Sequence, residues 1–183
     1  MNLKDYFNKP IIYFGHAPSL KLFFDYTEEF TKYDTTWVSL NNLANVKPIT
    51  DEAGKELDVC LIYCPHLYRN DGFQGTKLTE TKGRGSSTQE FLHQLLDAGV
   101  KQPVFLFGVD GEVLPGGDAY YIFGTHPDPD GKLRDTQTFN AATELKELEV
   151  YNCSIESKIE LFPRITVKDA LKKLEGFHGL PNV

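Results

Sequence analysis

The chain has 183 residues, of which 40% are hydrophobic and 25% charged, and this balance is typical of one globular domain. Its net charge of −7 repels phosphate backbones and anionic membranes on average, so we do not expect direct nucleic-acid binding. No apolar run approaches the roughly 20 residues of a membrane span, and the first residues have neither a signal-peptide core nor an Arg-rich transit pattern. We therefore expect a cytoplasmic protein without a membrane span, folded as a single domain over residues 1–183.

The first half of the chain alternates short apolar runs with polar turns. Residues 10–15 predict a strand that ends at Gly15, and an amphipathic helix follows the turn after it. A second strand is predicted over 35–40, and the almost unbroken apolar run over 57–65 is typical of a strand buried on both faces of a parallel sheet. Residues 69–85 are polar, carry four glycines and show no apolar period, so we predict a mobile surface loop there, either a lid or a simple insertion.

The second half continues this alternation. The sequence Ser87-Thr-Gln-Glu90 fits a capping box and predicts the start of a helix that ends at Gly99. The later predicted elements are a strand over 102–108, an extended segment over 119–123, a loop over 124–131, a helix over 139–146, a strand over 148–152, and a helix over 167–174 that stops at Gly176. Alternating strands and helices predict a three-layer, doubly wound, Rossmann-like α/β domain with a mainly parallel sheet.

Ligands of such domains bind outside the carboxyl ends of the strands, where the strand order reverses. The polar turns expected there are residues 15–19, Asn41 and Asn42, residues 86–88, and Asp110. A helix N-terminus offers free N–H groups and a partial positive charge, which suit a phosphate. The sequence has neither the three-glycine dinucleotide fingerprint nor a P-loop, and a purely structural turn is the alternative explanation for residues 15–19.

Several sequence elements, taken in order, resemble one family. They are Gly15-His-Ala-Pro-Ser-Leu20, Ser39-Leu-Asn-Asn42, Gly85-Ser-Ser-Thr88 with Phe105-Leu-Phe-Gly-Val-Asp110, and the tail Leu148-Glu-Val-Tyr-Asn-Cys-Ser154 with Ser157 and Leu161-Phe-Pro163. Together they are similar to the bacterial sialyltransferase and 6-hydroxymethylpterin-pyrophosphokinase-like superfamily, which includes uncharacterised bacterial and phage proteins. The resemblance covers about residues 10–175.

The resemblance implies a nucleotide or nucleotide-activated sugar in the cleft, and a small glycosyltransferase that needs no metal and acts on an acceptor that the sequence does not specify. The residues implied at the nucleotide are Gly15, Ala17, Pro18, Ser19, Asn41, Asn42, Ser86, Ser87, Thr88 and Asp110. By the same resemblance His126 is the general base for the acceptor hydroxyl, and Tyr120 and Tyr121 would bind the departing phosphate. A solvated loop histidine is the alternative for His126.

Two other functions stay open. One branch of the family transfers diphosphate from ATP to a pterin-like alcohol with Mg²⁺, and the acidic residues available for this are Asp51, Glu52, Glu56 and Asp58, which lack a compact spacing. The chain also has Cys64 before Pro65 where many relatives carry Asp, and it lacks the glycine of their Ser/Thr-Gly turn. These departures favour a binding or immunity-like module that has lost catalysis.

The cysteines give little support for a metal site or for disulfides. Cys60, Cys64 and Cys153 are odd in number and have no CxxC spacing, so we expect buried apolar side chains. A zinc set formed by Cys64 with His16 and His66 is a minor alternative, because its ligands come from separate turns.

Overall fold

A computed structural model describes residues 2–15, 17–40, 61–63, 76–78, 82–111, 119–121, 124–126 and 132–178. The strands in these ranges are β1 (Ile11–Phe14), β2 (Thr36–Leu40), β3 (Leu61–Tyr63), β4 (Thr76–Leu78), β5 (Val104–Phe107), β6 (Ala119–Tyr121), β7 (Gly124–His126) and β8 (Val150–Asn152). The α-helices are α1 (Leu3–Tyr6), α2 (Lys21–Phe24), α3 (Thr27–Phe30), α4 (Ser87–Asp97), α5 (Lys132–Ala141) and α6 (Val167–His178), and 3₁₀ helices span Pro18–Leu20 and Thr143–Glu147.

Six of the described strands form one parallel sheet in the order β4-β3-β2-β1-β5-β8. Strand β1 lies between β2 and β5, so that Phe14 is opposite Ser39 on one side and Phe107 on the other. The chain moves outward from β1 to β4 and then returns to the other side of β1 with β5. The strand order therefore reverses between β1 and β5, and the carboxyl ends of these two strands form the expected ligand crevice.

Helices cover both faces of this sheet because successive side chains of β1 point to opposite faces. Ile11 and Tyr13 belong to a core shared with α4 and the second 3₁₀ helix, whereas Ile12 and Phe14 belong to a core shared with α2, α3 and α6. All four side chains are fully buried. The predicted α/β class with a parallel sheet is confirmed, and the described part has three layers. No helix in the described ranges has the length and apolar character that a membrane crossing requires.

Two predicted loops contain short strands. Thr76–Leu78, inside the predicted mobile loop 69–85, pairs in parallel with β3 as an edge strand. Gly124–His126, inside the predicted loop 124–131, pairs antiparallel with β6 in a hairpin outside the main sheet. Both loop predictions are wrong for these residues. Each strand has only three residues, which are too few to show an alternation of apolar and polar side chains, and it forms because its backbone pairs with another strand.

Three predicted helices have different limits in the structure. The helix after β1 is interrupted between Phe24 and Thr27, where the Thr27 hydroxyl donates to the Phe24 carbonyl at 3.0 Å and competes with the helical pattern. The helix predicted over 139–146 is instead the end of α5 followed by a 3₁₀ helix. Helix α6 continues past Gly176, so that the predicted stop is wrong.

Candidate functional site

The turns that follow β1 and β5 lie against each other where the strand order reverses. The Gly15 amide donates to the Phe107 carbonyl at 2.7 Å, and the Ala17 amide donates to the Gly108 carbonyl at 2.9 Å. A Cβ atom added to Gly15 would overlap the Gly108 carbonyl oxygen, and one added to Gly108 would lie 2.7 Å from the Gly15 oxygen. Gly108 also has φ +70°. The fold itself therefore requires glycine at both positions.

Asp110 connects these two turns through its side chain. Its Oδ2 accepts a hydrogen bond from the Ser19 amide at 3.0 Å, and its Oδ1 accepts one from the Ser19 hydroxyl. The residue is only 8% exposed. The carboxylate thus caps the 3₁₀ helix Pro18–Leu20 from a distant part of the chain, because a negative group is favourable at a helix N-terminus.

This cap uses the donors that the sequence suggested for a phosphate. The Ala17 amide bonds to Gly108, the Ser19 amide bonds to Asp110, and the Leu20 amide bonds to the Ala17 carbonyl at 3.1 Å. Pro18 has no N–H to offer. An ionised carboxylate has about four acceptor positions, of which Ser19 takes two, so this turn presents acceptors for hydroxyl groups more readily than donors for an anion.

The start of α4 offers hydrogen-bond donors rather than acceptors. Ser86 is the N-cap, its hydroxyl accepts from the Gln89 amide at 3.3 Å, and the Gln89 side chain accepts from the Ser86 amide at 3.0 Å. The capping box is therefore Ser86 with Gln89, one residue before the predicted pair. The Ser87 and Thr88 amides have no partner among the described residues, as expected for the first helical turn.

The start of α4 lies at the same edge of the sheet as the two turns. Helix α4 precedes the parallel strand β5, so its N-terminus is at the carboxyl edge, and the Thr88 hydroxyl contacts the Tyr13 hydroxyl of β1 at 3.0 Å. With 11 residues, α4 is long enough for its dipole to add to the two free amides. This helix start can accept an anion.

A buried ion pair anchors the segment that precedes α4. Glu90 is 1% exposed and accepts from the Arg84 amide at 2.7 Å and from Arg84 Nη2 at 3.3 Å. Arg84 Nη1 also lies 2.9 Å from Asp97 Oδ2. Burial alone raises the pKa of Glu90, but hydrogen bonds from the Arg84 and Lys82 backbone and from the Arg84 side chain outweigh it and lower the pKa below 4.5. The Arg84 guanidinium is thus already paired with two carboxylates, Glu90 in the first turn of α4 and Asp97 at its last residue.

The lowered pKa of Glu90 predicts a pH effect on stability. A carboxyl group whose pKa falls on folding stabilises the folded state above its unfolded value of 4.5, and this contribution is lost as the pH falls through the lower folded value. We expect Glu90→Gln to lower the free energy of unfolding at pH 7 and to flatten its decrease below pH 4.5. Urea denaturation of both proteins from pH 7 to pH 3 measures this, and equal pH profiles would contradict the assignment.

The predicted catalytic residues lie in one hairpin. His126 ends β7 opposite Ala119, and Tyr120 and Tyr121 lie on β6, opposite Thr125 and Gly124. The hairpin comes next in the chain after the turn that carries Asp110.

Other predicted residues lie outside the described part of the chain. They are the nucleotide residues Asn41 and Asn42, the acidic residues Asp51, Glu52, Glu56 and Asp58, and the zinc alternatives His16, Cys64 and His66. In the ranges that are described, no group of three or more His, Cys, Asp or Glu residues is arranged to hold a metal ion. Cys153 is buried, and burial raises the pKa of its thiol well above 9.0, as for an inert core side chain.

No site role was predicted for Asn152 and Ser157, which the structure places directly behind Asp110. Both are fully buried, and both contact the carbonyl of Val109 at 2.9 Å. A polar residue at the end of an apolar strand was the available signal for Asn152, because a buried amide must find partners. Ser157 lies in a segment without regular structure, where no sequence pattern indicates burial.

We refer to Ser19, Ser87, Thr88, Gly108 and Asp110 as the switch-point site, because they lie at the carboxyl edge around the reversal of strand order. The site combines a carboxylate that can accept from hydroxyl groups with two amides that can donate to an anion. Among protein-family models, curated proteins and solved structures, none matches this chain.

Proposed function

We propose that the protein binds a nucleotide or nucleotide-activated sugar at the switch-point site and acts as a small glycosyltransferase-like transferase. The observation that carries this proposal is the pairing of unlike groups at one edge: the Asp110 carboxylate, fixed by Ser19, and the amides of Ser87 and Thr88, which bond to none of the described residues. A nucleotide presents ribose hydroxyls and a phosphate a few bonds apart. The hydroxyls suit the carboxylate, and the phosphate suits the helix start.

Charge supports this orientation of the ligand. A phosphate placed at the Pro18–Leu20 helix would meet the Asp110 carboxylate, and like charges at contact distance repel. Arg84, which precedes α4, is engaged by Glu90 and Asp97, so in the described part of the chain the phosphate would be held mainly by backbone N–H groups. The net charge of −7 opposes an anion on average, and the local dipole of a helix start can offset this repulsion.

In the proposed reaction His126 takes the proton of the acceptor hydroxyl. The acceptor oxygen forms a bond to the anomeric carbon of the sugar while the bond from that carbon to the phosphate oxygen breaks, and the nucleotide leaves with the electron pair. One of the two tyrosines of β6, Tyr120 or Tyr121, donates a hydrogen bond to the leaving phosphate, since adjacent residues of a strand point to opposite faces. A general base contributes roughly 10²–10⁴ in rate, so His126→Ala should lower transfer by about this factor without weakening nucleotide binding.

A second candidate is a binding module without catalysis. The contact between Asp110 and Ser19 favours this module. The start of the Pro18–Leu20 helix is a place where such domains commonly bind phosphate, and here the protein's own carboxylate occupies it. The two functions differ in one outcome: both bind a nucleotide, but only the transferase moves a sugar to an acceptor.

Thermal denaturation with CMP, UDP, ADP and their sugar conjugates tests the proposal. A ligand at about 100 times its Kd adds about 2.7 kcal/mol, which for a chain of this size corresponds to about 5–10 °C in Tm. Inorganic phosphate at equal ionic strength is the control and should give a much smaller shift. No shift with any nucleotide would overturn the proposal, and a shift without sugar transfer to any acceptor would favour the binding module.

A further inference from the structure

A buried polar network lies behind the carboxylate of the switch-point site. Asn152, at the end of β8, donates through Nδ2 to the Val109 carbonyl and to the Ser157 hydroxyl, both at 2.9 Å, and its Oδ1 accepts from the Ser154 amide at 3.2 Å. Asn152 and Ser157 are both fully buried. The network ties β8 and the segment after it to the turn that follows β5.

The contacts converge on the backbone at Asp110. Its carbonyl accepts from the Lys158 amide at 2.6 Å and from the Ser157 hydroxyl at 3.1 Å. The same hydroxyl lies 2.9 Å from the Val109 carbonyl, so its single proton is shared between two neighbouring carbonyls. The Ser157 oxygen also accepts from the Ile159 amide at 3.0 Å, which leaves it fully used.

We infer that Asn152 and Ser157 are positioning residues for the proposed ligand site: they fix the peptide units on either side of the Asp110 Cα atom and so direct its carboxylate toward Ser19. This inference rests on the proposed function, because positioning is relevant to binding only if Asp110 contacts the ligand. A buried network with all groups satisfied is rigid, since each displaced bond leaves an unpaired polar group. The site is thereby arranged before a ligand arrives, and binding need not include the cost of ordering this turn.

Hydrogen exchange at Ser19 tests the positioning directly. The Ser19 amide donates its hydrogen bond to Asp110 and not to Ser157, so its exchange rate reports on the position of the carboxylate. We expect Ser157→Ala to reduce protection of the Ser19 amide about tenfold relative to the Ile11 amide, which bonds to Pro103 at the opposite edge of the sheet. Unchanged relative protection would overturn the inference.

A matched control and two further variants separate positioning from general destabilisation. Ser39 is an equally buried serine whose hydroxyl has no partner among the described residues, so Ser39→Ala should leave the Ser19 amide unaffected. Ser157→Thr retains the hydroxyl and should restore protection. If Ser157→Ala does not fold, Ser157→Cys keeps a similar volume with a weak donor and should give the same loss.

A double-mutant cycle on nucleotide affinity completes the test. As single substitutions, Ser157→Ala and Asp110→Asn should weaken CMP, UDP or ADP binding by about the same factor. The double variant should bind no more weakly than Asp110→Asn alone. Additive losses would overturn the positioning role. If the wild type binds no nucleotide, the proposed function fails, whereas the Ser19 exchange result still decides whether Ser157 positions Asp110.

Discussion

Replacing Gly108 by alanine is expected to destabilise the protein by about 2–5 kcal/mol, from about 1–2 kcal/mol for a left-handed alanine and about 1–3 kcal/mol for overpacking. Gly108 has φ +70°, and its added Cβ would lie 2.7 Å from the Gly15 carbonyl oxygen and 3.1 Å from Leu20 Cβ. The oxygen belongs to backbone that the sheet holds in place, so it cannot move aside without disturbing β1.

Gly99 provides a matched control for this substitution. It has nearly the same φ of +68°, but a Cβ there would meet nothing within 4 Å. Gly99→Ala should therefore cost only the conformational part, about 1–2 kcal/mol. Urea denaturation of the two variants measures the difference, and equal losses would show that the turns after β1 and β5 are not in close contact.

The second large effect is expected at Asp110. Asp110→Asn replaces one of the two oxygens that accept from Ser19 by a donor, so a charge-assisted hydrogen bond is lost, which costs about 1.5–3 kcal/mol. Ser19→Ala removes only the hydroxyl and keeps the bond from the Ser19 amide, so its loss should be smaller. Denaturation of both variants tests this order, and a larger loss for Ser19→Ala would contradict the role of the carboxylate as a helix cap.

The same variant distinguishes two orientations of the nucleotide. If Asp110 accepts hydrogen bonds from ribose hydroxyls, Asp110→Asn should raise the Kd about tenfold. This factor corresponds to about 1.4 kcal/mol, which is the order expected when a hydrogen bond to a charged group is lost. If a phosphate lies there instead, removing the negative charge strengthens binding. Titration calorimetry with one nucleotide at pH 7 measures the direction, and tighter binding by Asp110→Asn would contradict our orientation.

Strands formed by apolar runs and the helices α4 and α6 were predictable from the sequence, whereas most of α5 and the shortest strands were not. Strands β1 and β5 are continuous apolar segments whose four residues are all buried, so that local composition alone indicates a parallel sheet. Strands β4 and β7 have three residues each and exist because a partner strand supplies their hydrogen bonds. Their formation depends on contacts that no local pattern contains.

The meeting of the turns after β1 and β5 was predictable from the sequence, but the contacts between them were not. The rule that ligands bind where strand order reverses selected the turns after β1 and β5, which the structure brings together. The bond from Ser19 to Asp110 spans 91 residues, and the contact from Ser157 to Asp110 spans 47, so neither leaves a signal in local sequence. Gly15 packs against Gly108, which is also far away in the sequence. Its place in a strand-to-helix turn therefore does not reveal this contact.

Nucleotide binding at the switch-point site can be followed through the amide chemical shifts of ¹⁵N-labelled protein. On titration with CMP, UDP or ADP, we expect the largest shifts at Ser19, Ser87, Thr88 and Asp110, with little change at Ile11 and Val104 on the amino side of the same sheet. Saturable shifts that are confined to other residues, or none with any of the three nucleotides at millimolar concentration, would contradict the account.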